Sequence, residues 1–529
     1  MSKPAPNARR ASYLVGVAVL LSRVLGLARE IVFTNLFGSS RVYECFIAAF
    51  RAPNLLRDLF AEGALSTAFV TTFTKTQQGE GDEAAWTLGR KVMTLAAVFM
   101  TVVTVLGMVF STPIMAAMTS GFAPDEQAFA GELARIMFPF ILLVSLAALT
   151  MGMLNARRIY FLPALASCFF NIGSVVAGVA AAWWMDPHFG PRAMQGMAYG
   201  VLVGGLLQWM VQVPSLRREG FRFRPDFAWR HPGVRKVLQL MGPAIIAGSA
   251  VQINVLVNTS FASYLAKGSM VWLNTAFRLM QFPLGVFGVA VGTVALPELA
   301  RLATERKNRE FGQRIGEGLR LVFFLNIPSA LGLIVLAQPV ISLLYEHGRF
   351  HADDRIMAAA ALQAYSVGLL GYSALKVLAP AFYAIDRRNL PMYVSLASVA
   401  LNAGLNAWLI FRCGFGHTAL AASTAVVATV NFLALHILLR RAVGPLESKR
   451  MLGELARILP AALGMAALCY GIWHFTADWF LHTGRVWKAA WVMGVVALAG
   501  TAYFALCTVL RVEEARVVLD GVRKRFGRR

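Results

Sequence analysis

Acidic residues are scarce in this chain. Charged residues of both signs make up only 15% of its 529 positions, and Asp and Glu number 27 against 50 Lys and Arg. A soluble protein keeps about a quarter of its residues charged, so a soluble fold is excluded. Cysteine is also sparse. Cys45, Cys168, Cys413, Cys469 and Cys507 show no paired spacing and mostly lie in apolar runs, which fits small packing residues and not disulfides or thiolate metal sites. His188, His231 and His347 fall in or near loops without metal-ligand spacing. There is no nucleotide loop, metal motif or nucleophile constellation, so an ATP-driven pump and a membrane enzyme are disfavoured, and no cofactor is expected.

What the chain has instead is apolar sequence, at 57% hydrophobic residues and a mean hydropathy of +0.60. Its runs are long enough for helices that cross a bilayer core, which needs ~20 residues. The expected fold is all-α and polytopic, with fourteen spans near 13–37, 42–73, 91–116, 132–155, 160–184, 193–215, 236–264, 270–299, 316–341, 356–384, 391–411, 417–439, 454–475 and 487–511. The basic N-terminus "MSKPAPNARRAS" precedes a run longer than a signal-peptide core, so that run is retained as a helix. The second and tenth spans exceed one crossing and are expected to tilt, kink or extend.

The positive excess would suggest nucleic acid in a soluble chain. Here it sits in alternate short loops, as at Arg157 and Arg158, Arg217 to Lys236, Arg301 to Arg314, Arg387 and Arg388, and Arg440 to Arg450. The intervening loops are poorer; "STPIMAAMTSGFAPDEQ" has no basic residue. By the positive-inside rule both termini are cytoplasmic and the span count is even, with no nucleic-acid partner expected.

The chain also repeats itself. "LASCFFNIGS" from Leu165 and "LASVALNAGL" from Leu396 align Asn171 with Asn402 and Gly173 with Gly404, each after an Arg-Arg pair. "AAFRAPN" and "NTAFRLMQ" align Arg51 with Arg278, and the three offsets are 231, 230 and 227 residues. Six helices separate the copies, so they share one orientation, as in transporters built from two lobes around a central site. The lobes are expected at 1–230 and 231–445, with 446–529 holding two added helices and a basic tail.

Ten ionisable residues within the spans draw attention: Arg23, Arg29 and Glu30 in the first, Glu44, Arg51, Arg57, Asp58 and Glu62 in the second, Arg278 in the eighth and Lys376 in the tenth. Each costs roughly 2.5–3.5 kcal/mol at mid-bilayer unless it faces water or a partner. "RVLGLARE" and "RAPNLLRD" share one pattern of Arg, five residues, Arg, acid. Six residues advance about 600°, so paired arginines point ~120° apart and stand ~9 Å apart along the axis, while seven residues return near one face. Arg23 with Glu30, and Arg51 with Asp58, can therefore share a stripe. Glu30 is expected to hold Arg23 in place. Six cations against four acids leave guanidiniums over, which suits a phosphate or carboxylate gripped bidentately. Prolines at 139, 163, 243, 283, 328 and 380 mark kinks. Asn171, Asn254, Asn258 and Asn402 suit helix–helix hydrogen bonds or an ion.

"SRVLGLARE", "APNLLRDLFAEGALSTAFV", "QLMGPAI", "FRLMQFPLGVFGVAVGTVALPELAR" and "YSVGLLGYSALKVLAPAFYA" together resemble the MurJ (MviN) family of bacterial lipid II flippases, in the MOP exporter superfamily with the MATE exporters. The resemblance covers the first twelve helices. It implies two pseudo-symmetric six-helix lobes in a V, two C-terminal helices shaping a groove for the lipid tail, alternating access, and residence in the cytoplasmic (inner) membrane. It implies that Arg23, Arg29, Arg57 and Arg278 bind the diphosphate head group. Glu44, Glu62, Asp58, Glu30 and Lys376 are then cavity, gating or coupling residues. Phe277 stands where relatives often have aspartate. Lipid II, membrane lipids and cell-wall synthesis enzymes are the implied partners. Na⁺, H⁺ or the membrane potential is the implied energy source. A flippase for another polyprenyl-diphosphate glycan and a cation-coupled drug exporter are the alternatives; a cationic cavity disfavours the second.

Overall fold

The computed structural model describes residues 6–285, 289–387 and 389–516; a few side chains within helices, Glu62 among them, are outside that description. Every described element is a helix. The chain divides into two compact units, Met1–Met270 and Val271–Arg529.

The first unit contains α1 (Pro6–Phe37) and α2 (Arg41–Leu56), which runs without a loop through a π-helical segment (Arg57–Leu65) into α3 (Ser66–Glu80). Then come α4 (Asp82–Val109), α5 (Ser111–Met118), α6 (Pro124–Met137), α7 (Phe140–Ala156), α8 (Phe161–Met185), α9 (Pro191–Met210), α10 (Val213–Arg218) and α11 (Pro232–Ser263). Ser40 caps α2 by accepting from the Tyr43 amide. Pro53 removes one backbone donor just before the π segment. The closest packing in the unit is α8 on α9. Gly196, Gly200 and Gly204 recur every fourth residue on α9, and Ser174, Gly178 and Ala182 do so on α8. A methyl at Gly196 or Gly200 would strike the facing backbone. This is the small-residue seam by which membrane helices approach closely. A core of Phe69, Phe73, Trp86, Leu88, Leu149 and Phe221 binds α3, α4 and α7.

The second unit contains α12 (Ser269–Pro283), α13 (Val289–Thr304), α14 (Asn308–Val335), α15 (Ala337–Tyr345), α16 (Ala352–Val367), α17 (Leu369–Ala384), α18 (Asn389–Ala407), a second π segment (Trp408–Arg412), α19 (Thr418–Val443), α20 (Ser448–His482) and α21 (Arg485–Val509). Phe311, Leu319, Phe324, Phe382, Leu439 and Ile458 build one core from α14, α17, α19 and α20.

Among the described residues nine helices are long and apolar enough to cross a membrane, and α16 with α17, bent by 42°, makes a tenth. The four expected spans outside that set are α1, α2 with α3, α11, and α12 with α13. They hold most of the charged and amide groups that the sequence places in the membrane, including Arg23, Arg57, Gln252, Asn258 and Arg278.

The repeat is visible in local geometry. α7 and α17 end in the same turn. Ile159 N donates to Leu154 O and Arg158 N to Asn155 O; Arg387 N donates to Phe382 O and Asp386 N to Tyr383 O. The left-handed residues are Arg158 (φ 62°) and Asp386 (φ 56°), 228 residues apart. That spacing is close to the repeat offsets read from the sequence.

Candidate functional site

Within the first unit α1 packs along α8, and this contact presents the α1 arginines. Arg23 is exposed, Arg29 is half-buried and Glu30 is buried. The Asn171 amide of α8 donates to the Ser22 carbonyl at 3.2 Å and to Ser167 O at 3.1 Å. The Arg29 guanidinium carbon lies 5.1 Å from the Phe170 ring centroid. Glu30 receives the Tyr43 hydroxyl at 3.5 Å, the outer limit of a hydrogen bond. Glu30 was expected to hold Arg23; the contact seen is with Tyr43, and it joins α1 to α2.

Arg51 and Asp58 both face α11, as a shared stripe requires: Arg51 donates to Thr259 and Asp58 accepts from Gln252 at 3.4 Å, and these partners are themselves seven residues apart on α11. Asp58 also accepts from its neighbour Arg57 at 2.8 Å. Asp58 lies on the π segment, whose i→i+5 bonding widens the turn. Arg57 and Asp58 keep 22% and 32% side-chain exposure, so this pair is reachable by solvent or ligand. Glu62 lies on the same segment, but its side chain is outside the described residues.

Glu44 does not line open space. Its side chain is fully buried, paired with Arg41 at 2.7 Å, and accepts the Met270 amide at 2.9 Å. Arg41 also binds Glu126 of α6 at 3.1 Å and stacks 4.6 Å from the Phe122 centroid. Nearby, Gly121 N donates to Ser263 Oγ at 2.9 Å and Tyr264 Oη donates to Ser120 Oγ at 3.0 Å. A methyl on Gly121 would sit 2.6 Å from the Ser263 backbone carbon, so only glycine permits this approach.

In the second unit Arg278 is half-buried on α12, and Lys376 is exposed on α17. Phe277 packs its ring 5.4 Å from that of Tyr365 on α16, so the position that often holds an acid is here an aromatic contact. Trp272 Nε1 donates to buried Asp354 at 2.8 Å.

Sequence reasoning passed over several buried charges. Arg320 is paired with Glu447 at 2.6 Å and Glu514 at 3.0 Å. Burial pushes the Glu514 carboxyl up from its usual range, and Arg320 opposes the shift. Arg355 pairs with Glu346 at 3.0 Å, and Lys488 of α21 reaches Ser342 at 3.0 Å. These residues lie at or near the ends of apolar runs, where charge is ordinary, and no spacing rule joins Arg320 or Lys488 to partners more than a hundred positions away. The i,i+3 spacing of Arg41 and Glu44 was the one available signal for the first-unit cluster.

A family profile described as "Lipid II flippase MurJ" matches residues 33–487. The "Lipid II flippase MurJ" of Burkholderia cenocepacia is 36% identical over 514 residues, covering 95% of this chain and 98% of that protein. The "Probable lipid II flippase MurJ" of Vibrio cholerae is 33% identical, covering 95% and 96%. A solved MurJ structure in an inward closed conformation aligns with a TM-score of 0.76 at 24% identity, over 94% of this chain and 98% of that one. An inward-facing MATE multidrug transporter of the MOP superfamily aligns with a TM-score of 0.67 at 14% identity, over 81% and 96%, and shares the fold. This is a transporter family and not a catalytic one. With its profile matched along most of the length and full-length relatives above 30% identity, the chain belongs to the MurJ family of lipid II flippases.

Proposed function

We propose that this protein moves lipid II from the cytoplasmic to the periplasmic leaflet of the inner membrane by alternating access, with both termini in the cytoplasm. The observation that carries the reading is the set of accessible guanidiniums on otherwise apolar elements: exposed Arg23, half-buried Arg29 and Arg57, and half-buried Arg278 in the second unit. Lipid II carries a diphosphate, a disaccharide–pentapeptide head and a long polyprenyl tail. Guanidiniums grip phosphate oxygens bidentately, and a wet pathway spares the head group from hydrocarbon.

The close contacts around Glu44 and Gly121 suit a periplasmic closure. Glu44 on Met270, Arg51 on Thr259 and Gly121 on Ser263 join helices that precede residue 231 to segments that follow it. Breaking them would open that side while the diphosphate draws the arginines together on the other. The tail would run along α20 and α21, whose outward faces carry exposed apolar side chains such as Leu463, Tyr470, Met493 and Val496. The membrane potential can drive the cycle, since one charge crossing 100 mV is worth roughly 2.3 kcal/mol and an anionic head moves downhill toward the outside. Coupling to Na⁺ or H⁺ through Glu44, Glu62 or an asparagine is the other route.

The test is flipping of lipid II in proteoliposomes by variants with alanine at position 23, 29, 57 or 278. Loss of roughly tenfold or more at each is expected; unchanged flipping in all four sinks the proposal. Lysine at these positions should restore activity only in part, because it lacks the planar fork. Native mass spectrometry with lipid II against other polyprenyl-diphosphate sugars separates this substrate from its nearest alternatives.

A further inference from the structure

We infer that Phe170 and Asn171 of α8 are positioning residues for the α1 arginines, with the Phe170 ring the platform that holds the Arg29 guanidinium ready for an anionic oxygen. This deepens the proposed function and rests on its reading of Arg29 as a diphosphate ligand.

The ring is itself held. Phe170 is buried and packs 5.3 Å from the Phe140 centroid, and Phe140 packs 5.8 Å from Phe50. On α9 only a glycine leaves room for it: a methyl at Gly204 would come 2.6 Å from the Phe170 carbonyl oxygen and 3.0 Å from the ring. Against this fixed ring Arg29 makes a cation–π contact at 5.1 Å. The contact places the guanidinium carbon over a fixed ring, and the edge of a guanidinium is what binds phosphate oxygens in pairs. One residue further on, Asn171 holds the backbone at Ser22, immediately before Arg23. Two adjacent residues of one helix thus support both arginines of "RVLGLARE".

The second copy of the motif argues that this is specific. In "LASVALNAGL" the asparagine recurs as Asn402, but Leu401 stands where Phe170 does. The stretch of α11 that corresponds to Arg29 by the repeat offsets is "LVNTS", Leu256 to Ser260, with no arginine. The aromatic platform occurs in the copy that has an arginine to hold and is missing from the copy that does not.

A double-substitution cycle on the purified full chain tests this, with farnesyl diphosphate as the probe and binding read by native mass spectrometry. Phe170→Leu keeps apolar volume and removes the ring. It should weaken binding roughly three- to tenfold, and Phe170→Trp should restore it. In the Arg29→Ala background, Phe170→Leu should cost nothing further. Equal loss in both backgrounds, or full affinity in Phe170→Leu with Arg29→Ala impaired, overturns the inference alone. Full affinity in Arg29→Ala overturns the diphosphate reading and the inference with it. Thermal midpoints of each variant identify a loss that is only unfolding, and if Phe170→Leu fails to fold, Phe170→Met and the Trp variant carry the same comparison.

Discussion

Arg41, Arg57 and Arg320 each meet a carboxylate, yet the three pairs do different work. Arg57 with Asp58 remains accessible, so its partner can be exchanged for a ligand. Arg320 is 4% exposed between two glutamates and is structural. Arg320→Met should lower stability by about 3–5 kcal/mol, because it leaves the buried Glu514 without its guanidinium; a thermal melt in detergent checks this, and an unchanged midpoint would refute the assignment. Asp58→Asn should leave the midpoint nearly unchanged and alter flipping, since an exposed pair is worth about 1 kcal/mol or less. Residue types and spacing made Arg23, Arg29, Arg57 and Arg278 legible as exceptional charges. They did not reveal Phe170, because an aromatic in an apolar run carries no signal until a cation stands over it.

At the level of elements, shared helix faces and the glycine seam decide where side chains point. Arg51 and Asp58 keep the shared face that an ideal helix predicts, both turned to α11, although Asp58 stands on the widened π turn. The α8–α9 seam was readable, since Gly196, Gly200 and Gly204 are spaced for close approach, but its partner helix was not. Gly200→Leu should cost roughly 1–3 kcal/mol by forcing the two helices apart, and through Gly204 and Phe170 it should also weaken diphosphate binding. The link between α13 and α14 offers a pH test. Hydrogen bonding from Lys307 at 3.0 Å, and then from Arg301, holds the Glu305 carboxyl below its ordinary value. A depressed carboxyl stabilises the fold above its unfolded-state value and loses that contribution as pH falls through the folded one. The midpoint of the native chain should therefore drop below about pH 4.5 more than that of Glu305→Gln; parallel curves would show that the pairing is without consequence.

For the whole molecule, the alternating basic loops and the apolar composition define a multi-pass inner-membrane protein of the MurJ family. If the anionic head group is the moving charge, flipping in proteoliposomes should accelerate under an imposed inside-negative potential. The ceiling is roughly fiftyfold per charge at 100 mV, the factor that 2.3 kcal/mol implies. Rates independent of an imposed potassium diffusion potential would point to ion coupling instead.

The sequence by itself determined the class of solvent, the helical fold, the family and the arginines worth testing. The solvent, the fold and the exceptional arginines follow from composition, run length and local spacing, and the family from the resemblance of its motifs; all of these are one-dimensional. Tertiary structure alone decided which acids are spent on structure, that Glu44 is buried against Met270, that Asp58 turns to Arg57 and Gln252, and that Arg29 rests on Phe170. Those outcomes depend on which helices become neighbours. A chain read along its length holds no record of contacts between residues 29 and 170 or 58 and 252 until packing brings them together.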